Sequence, residues 1–146
     1  MYAVSEIKEI EWELTTKCNA ACPQCPRNNY GGETISSLPI TSITLEQVKN
    51  IIPWNDMTSL EFVYFCGTYG DPIACPDLLG IASWIKENTN CTVALHTNGG
   101  LQSPAYWKQL SKVTDWCAFG IDGLEDTNHL YRRNVKWNFK FEIRRT

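Results

Sequence analysis

Long apolar runs are missing from this chain. No stretch approaches the ~18 consecutive apolar residues that a membrane span needs, so none is expected. Residues 1–13 hold no uninterrupted apolar core and carry Glu6, Glu9, Glu11 and Glu13, so no secretory signal is expected there. Positive charge is not in surplus: the formal net charge is -3, and charge alone indicates no nucleic-acid partner. Histidine is scarce, with only His96 and His129, so a histidine metal ligand would have to be one of these two. Internal repeats and low-complexity tracts are also absent. The remaining composition, 43% hydrophobic and 20% charged over 146 residues, excludes disorder and suffices for one domain with a real core.

Cysteine, by contrast, is abundant. Seven are present, an odd number in a chain that is not short. Thiols kept reduced for a metal or cluster fit this better than a disulfide framework, and a cytoplasmic location is expected. Three of them, Cys18, Cys22 and Cys25, form a C-x3-C-x2-C motif directly after a strand-like run. Three thiolates are one fewer than a closed four-cysteine zinc or iron–sulfur site requires. Either a fourth ligand comes from elsewhere, or one position is open for chemistry. Zinc would draw its fourth ligand from the two histidines or from Cys66, Cys75, Cys91 and Cys117. Cys91 and Cys117 lie inside apolar strands, where a free cysteine acts as a small core hydrophobe. Cys66 stands at a strand end and is open to either reading.

Strands and helices alternate. Residues 7–15 place Ile10, Trp12 and Leu14 on one face and Glu11 and Glu13 on the other, a strand pattern. A loop rich in Pro, Asn and Gly follows. Thr44 with Gln47 forms a capping box that opens a helix ending near Pro53, with Leu45, Val48 and Ile52 on one face. Residues 60–65 are nearly all apolar, the pattern of a strand covered on both faces. Asp77 is placed to cap the next helix, with Leu78, Ile81, Ala82 and Ile85 buried. Residues 91–95 form a third strand, and Ser103-Pro104 starts a third helix with Trp107 and Leu110 inward. Residues 116–121 form a fourth strand, and a fourth helix starts near Asp126 or Thr127 and runs past Arg133. Trp84, Trp107 and Trp116 are read as core. Such alternation marks βαβ units and a parallel sheet.

Placement then points to a site. The cysteine loop, residues 67–72, residues 96–100 and Asp122-Gly123 each follow a strand. In parallel β/α folds the ligand site lies at the carboxyl ends of the strands. Gly67 and Gly70 suit close approach of backbone to a ligand, or a simple turn. Asp71 and Asp122 suit polar ligand contacts, or helix-start caps. His96 is read as a packing or hydrogen-bonding residue at the mouth.

Cys18-x3-Cys22-x2-Cys25 after a first strand resembles the cluster motif of the radical S-adenosylmethionine (radical SAM) enzymes. Residues 67–72 resemble that family's Gly-Gly-Glu-Pro type segment after the second strand. Thr97-Asn98-Gly99 resembles its Thr-Asn-Gly segment after the third. Ile121-Asp122-Gly123, with Arg132 and Arg133 downstream, resembles the segment after the fourth. The resemblance covers about residues 7–136. The chain departs from it at Gln24, often aromatic in the family, at Asp71, commonly Glu, and at Gly120, usually Ser.

The resemblance implies an α/β fold: a partial parallel (β/α) barrel of the radical SAM type with about four βα units, truncated before closure, since a full barrel takes roughly 200 residues or more. Residues 1–137 would be that partial core domain, and 138–146 an unassigned tail in which Phe139, Phe141 and Ile143 alternate as in a short strand. It implies that Cys18, Cys22 and Cys25 hold a 4Fe–4S cluster. S-adenosyl-L-methionine (SAM) would then meet Gly67, Thr68, Tyr69, Gly70, Asp71, Thr97, Asn98, Asp122 and Arg132. A reduced flavodoxin- or ferredoxin-like carrier would supply one electron. SAM would be cleaved to methionine and a 5′-deoxyadenosyl radical, which abstracts hydrogen from a substrate of unknown identity. Two alternatives stand beside this enzyme: a non-catalytic metal- or cluster-binding module, and an inactive truncated fragment.

Overall fold

A computed structural model describes residues 3–137 of the chain. The expected strand over the tail, and the domain boundary at 137, lie outside the described residues. Four strands form one sheet: β1 (Glu9–Glu13), β2 (Phe62–Cys66), β3 (Thr92–Thr97) and β4 (Trp116–Phe119). Their order is β1-β2-β3-β4 and every pairing is parallel. One register row runs Glu11, Tyr64, Ala94, Trp116. The helices between and after them are α1 (Leu45–Ile51), α2 (Leu78–Asn88), α3 (Pro104–Leu110) and α4 (Asn128–Tyr131). Among the described residues no helix is long and apolar enough to cross a membrane.

The helices cover one face of the sheet. Val63, Phe65, Val93 and Leu95 point into that layer and meet Val48 of α1, Leu78, Ile81 and Ile85 of α2, and Trp107 and Leu110 of α3. Each of the aliphatic side chains is no more than 1% exposed, and burying one contributes roughly 1.5–3 kcal/mol before entropy is subtracted. Local signals set the helix starts. The Thr44 hydroxyl accepts from the Gln47 N–H at 3.2 Å while Gln47 Oε1 accepts from the Thr44 N–H at 2.9 Å. Ser103 accepts from the Tyr106 N–H at 3.3 Å.

Several expectations need correction. β2 is not covered on both faces: Val63 and Phe65 are buried, but Phe62, Tyr64 and Cys66 are only half-buried. Trp116 is not core; it is 45% exposed and packs on that second face against Phe62 and Tyr64, with ring centroids 6.0 and 5.6 Å apart. Right-handed crossovers place successive helices on the same side, so among the described residues the other side of the four strands carries no helix layer. Asp77 makes no side-chain cap on α2; its Oδ2 accepts instead from the Leu45 N–H of α1 at 2.9 Å. β3 extends two residues past Leu95 to Thr97, β4 stops at Phe119, and α4 ends at Tyr131, short of Arg133.

Candidate cofactor site

The cysteine loop is fastened at both ends. At its start, Gly70 lies against the Thr15 carbonyl, so closely that any Cβ there would collide with backbone, and the Asp71 N–H donates to the Lys17 carbonyl at 2.9 Å. Further on, the Ala21 N–H donates to the Arg133 carbonyl at 3.1 Å, and Arg133 Nη1 donates to the Gly31 carbonyl at 3.0 Å. Cys18, Cys22 and Cys25 thereby reach one cavity of 330 Å³ at the carboxyl ends of the strands. All seven cysteines are free thiols.

The other expected segments meet them there. Gly67, Thr68, Gly70 and Asp71 after β2, Thr97 and Asn98 at the end of β3, and Arg132 after α4 line the same cavity. Two expected residues do not. Tyr69 is 39% exposed and its N–H donates to Glu13 Oε2 at 3.4 Å. Asp122 forms an ion pair with Arg132 and acts on the cavity through it.

Asp71 joins two of the segments. Its Oδ1 accepts from the Thr97 hydroxyl at 2.7 Å and from the Ile73 N–H at 3.2 Å; its Oδ2 accepts from the Asn98 N–H at 2.7 Å. Burial pushes its carboxyl above the ordinary range, while these three donors and Arg132 pull it down. Asp71 is thus both a lining residue and the cap of the 3-10 turn at Pro72–Ala74. Arg132 is half-buried and reaches Cys22, whereas Arg133 is exposed and ties down the loop through its contact with the Gly31 carbonyl.

The groups around the sulfurs are hydrogen-bond donors. Asn98 Nδ2 donates to Cys18 Sγ at 3.6 Å, the Ala20 N–H to the same sulfur at 3.4 Å, and Arg132 Nη1 to Cys22 Sγ at 3.8 Å. Amide and guanidinium donors fit sulfurs that carry negative charge, as thiolate ligands do. Burial, then the nearby Asp71, pushes the Cys18 thiol up to about 11, and burial raises Cys22 against the pull of Arg132. Metal binding would have to displace those protons. Among the described residues no three His, Cys, Asp or Glu side chains converge tightly enough for a single metal ion.

Sequence reasoning did not name Glu11, Arg27 or Tyr131 as lining residues; Cys66, left open as a spare ligand, and Gly120, noted as a departure from the family's serine, also line the cavity. His96 lines the cavity too and packs beside Tyr64 with ring centroids 6.0 Å apart, in keeping with its expected place at the mouth. Glu11, Cys66 and His96 share the face left without helices, and strand alternation could have placed them. Cys66 donates to Glu11 Oε1 at 3.2 Å, and burial together with that carboxylate pushes its thiol up to about 12. Gly120 has a spatial reason: a Cβ there would stand 2.5 Å from Arg132 Nη2, so the glycine makes room for the guanidinium.

Known proteins bear on this geometry. The family model described as Radical SAM superfamily matches residues 12–144. No curated protein gives a significant match to the sequence. Among solved structures, SuiB of Streptococcus suis bound to precursor peptide SuiA superposes with a TM-score of 0.72 at 16% identity, over 95% of this chain and 30% of that one. Methylornithine synthase (PylB) gives 0.66 at 15% identity, over 95% and 40%. The anSMEcpe structure with bound AdoMet gives 0.62 at 16% identity, over 94% and 37%. At these identities the likeness is one of fold, and the chain spans 30% to 40% of the length of these three proteins. Four parallel βα units, a cysteine loop after β1 and a family match across most of the sequence agree: the chain belongs to the radical SAM superfamily and forms part of that family's (β/α) barrel.

Proposed function

We propose that this chain carries the cofactor half of a radical SAM enzyme, with Cys18, Cys22 and Cys25 as ligands of a 4Fe–4S cluster and the neighbouring strand ends as the SAM pocket. One observation carries this reading: the three thiols share a single cavity with the segments that follow β2, β3 and β4. When bound, cluster and SAM supply one-electron cleavage of the cofactor's sulfur–carbon bond and abstraction of hydrogen from a substrate.

The chain's own residues hold and shield that chemistry. Asn98 and the Ala20 N–H steady Cys18 by donating to its sulfur; Arg132 does the same for Cys22. Asp71 locks the strand-end segments of β2 and β3 together, so the two cavity walls move as one. Gly67, Thr68 and Gly70 present backbone to the cavity without side-chain bulk beyond one threonine. Their part is to orient a small polar cofactor and exclude water around it. Asp122 keeps Arg132 pointed at Cys22 and at any carboxylate bound beside it. A reduced flavodoxin- or ferredoxin-like protein is the proposed electron donor, the cytoplasm is the proposed location, and the substrate stays open.

Anaerobic reconstitution with iron and sulfide tests this. About four irons per chain, with 5′-deoxyadenosine released on adding SAM and a strong reductant, is the expected result. One zinc per chain with no cluster absorption sinks the reading. A cluster that forms without SAM cleavage favours a cluster-binding module.

A further inference from the structure

Arg27 is a buried cation with no acidic partner among the described residues. It is 8% exposed and lines the cavity that the three thiols share. Its Nε donates to the Thr16 carbonyl at 3.0 Å, and its Nη1 donates to the Thr34 hydroxyl at 2.8 Å and to Asn28 Oδ1 at 3.3 Å. All three acceptors are neutral. Among the described residues no carboxylate lies within ion-pair distance of it. Arg132, the other guanidinium on the cavity, is different: Asp122 already balances its charge.

A buried charge without a counter-charge is strongly unfavourable, so native proteins pair such groups or give them a bound ion. Glu11 and Asp71 line the same cavity, but among the described residues neither forms an ion pair with Arg27. A negatively charged group held in the cavity that Arg27 lines would supply that balance. Resting on the reading that the thiols hold a 4Fe–4S cluster, we propose that Arg27 is a positioning residue whose fixed charge balances the cluster and raises its reduction potential. Accepting one electron from an external low-potential reductant adds one negative charge to the cluster. A nearby fixed cation stabilises that reduced state more than the oxidised one. The competing role is a plain staple, in which Arg27 only links Thr16 to Thr34.

Two variants separate these roles. R27Q keeps a hydrogen-bonding amide and removes the charge; R27K keeps the charge and loses the forked donors. The reading is the midpoint potential of the reconstituted chain, followed by electron paramagnetic resonance without SAM. R27Q is expected to shift the reduction equilibrium about tenfold toward the oxidised form, a midpoint about 59 mV lower for one electron. R27K is expected to stay close to the parent. Loss of the cluster in R27Q but not in R27K also supports the charge role. An unchanged potential in R27Q, equal shifts in both variants, or loss of the cluster from both overturns it. So does weaker SAM binding in R27Q at an unchanged cluster potential. A parent chain that takes up no iron removes this inference together with the proposed function, whereas a failed comparison in a loaded parent leaves that function standing.

Discussion

Gly70 and Asp71 sit side by side in the sequence and hold the site by opposite means. Gly70 works by having no side chain. A Cβ at this position would run into the Thr15 and Lys17 carbonyls, which are backbone and cannot swing aside. Gly70→Ala is expected to cost about 1–3 kcal/mol, the range of overpacked interiors, and to loosen the cysteine loop; urea unfolding of the metal-free chain measures the first effect. Asp71 works by accepting three hydrogen bonds. In Asp71→Asn one oxygen becomes an amide that faces a backbone N–H, of Asn98 in one flip and of Ile73 in the other. A loss of about 1–3 kcal/mol is expected, and a variant as stable as the parent would show that the network does not hold the two segments. The sequence made both residues visible as unusual strand-end positions. It did not show what they touch: the glycine's close neighbour is the chain's own backbone, brought there by the fold, and no local pattern encodes that.

Helix starts follow from local chemistry, which is why the capping box at Thr44 and the Ser103-Pro104 start were legible before the fold was known. Asp77 was not, because its carboxylate serves α1 rather than the helix it precedes. Strand ends were misplaced by about two residues for a related reason. His96 and Thr97 look polar in isolation, yet they pair with Ala118 and Phe119 and so extend β3. Asp115 shows how such links between elements can be tested. The Val93 N–H, then Lys86, holds its carboxyl below the ordinary carboxylate range. Its folded value therefore lies below the unfolded one, and its contribution is full above pH of about 4 and fades as pH falls through the folded value. The pair is exposed and screened by solvent, so Asp115→Asn is expected to lower stability at neutral pH by less than about 1 kcal/mol. The gap between parent and variant should close as the pH falls below the folded value of Asp115. A gap that persists in acid would mean that the amide disturbs packing instead.

At the scale of the whole molecule, the parallel architecture and the convergence of four segments were legible, because each motif follows its own strand and such strands point their ends the same way. The half-open sheet was not. A continuous apolar strand reads alike whether one face or two are covered, so Phe62, Tyr64 and Trp116 looked like core. The site itself joins distant parts of the chain: Arg132 reaches Cys22 and Arg133 reaches Gly31. Loading the thiols should therefore stiffen residues 131–135 as well as the cysteine loop, because a ligand that binds only the folded form stabilises everything it ties together. Hydrogen exchange on the chain with and without a reconstituted cluster is the measurement, and slower exchange in both segments is expected. Cys22→Ala should abolish the change in both. Arg133→Ala should leave the loop's protection on loading but weaken its spread to residues 131–135, and should lower the melting midpoint by roughly 2–6 °C for a loss near 1 kcal/mol. Protection confined to the cysteine loop in the parent would mean that the cluster is held by a local hairpin of thiols, and that the contacts across the cavity mouth do not unite the two ends of the domain.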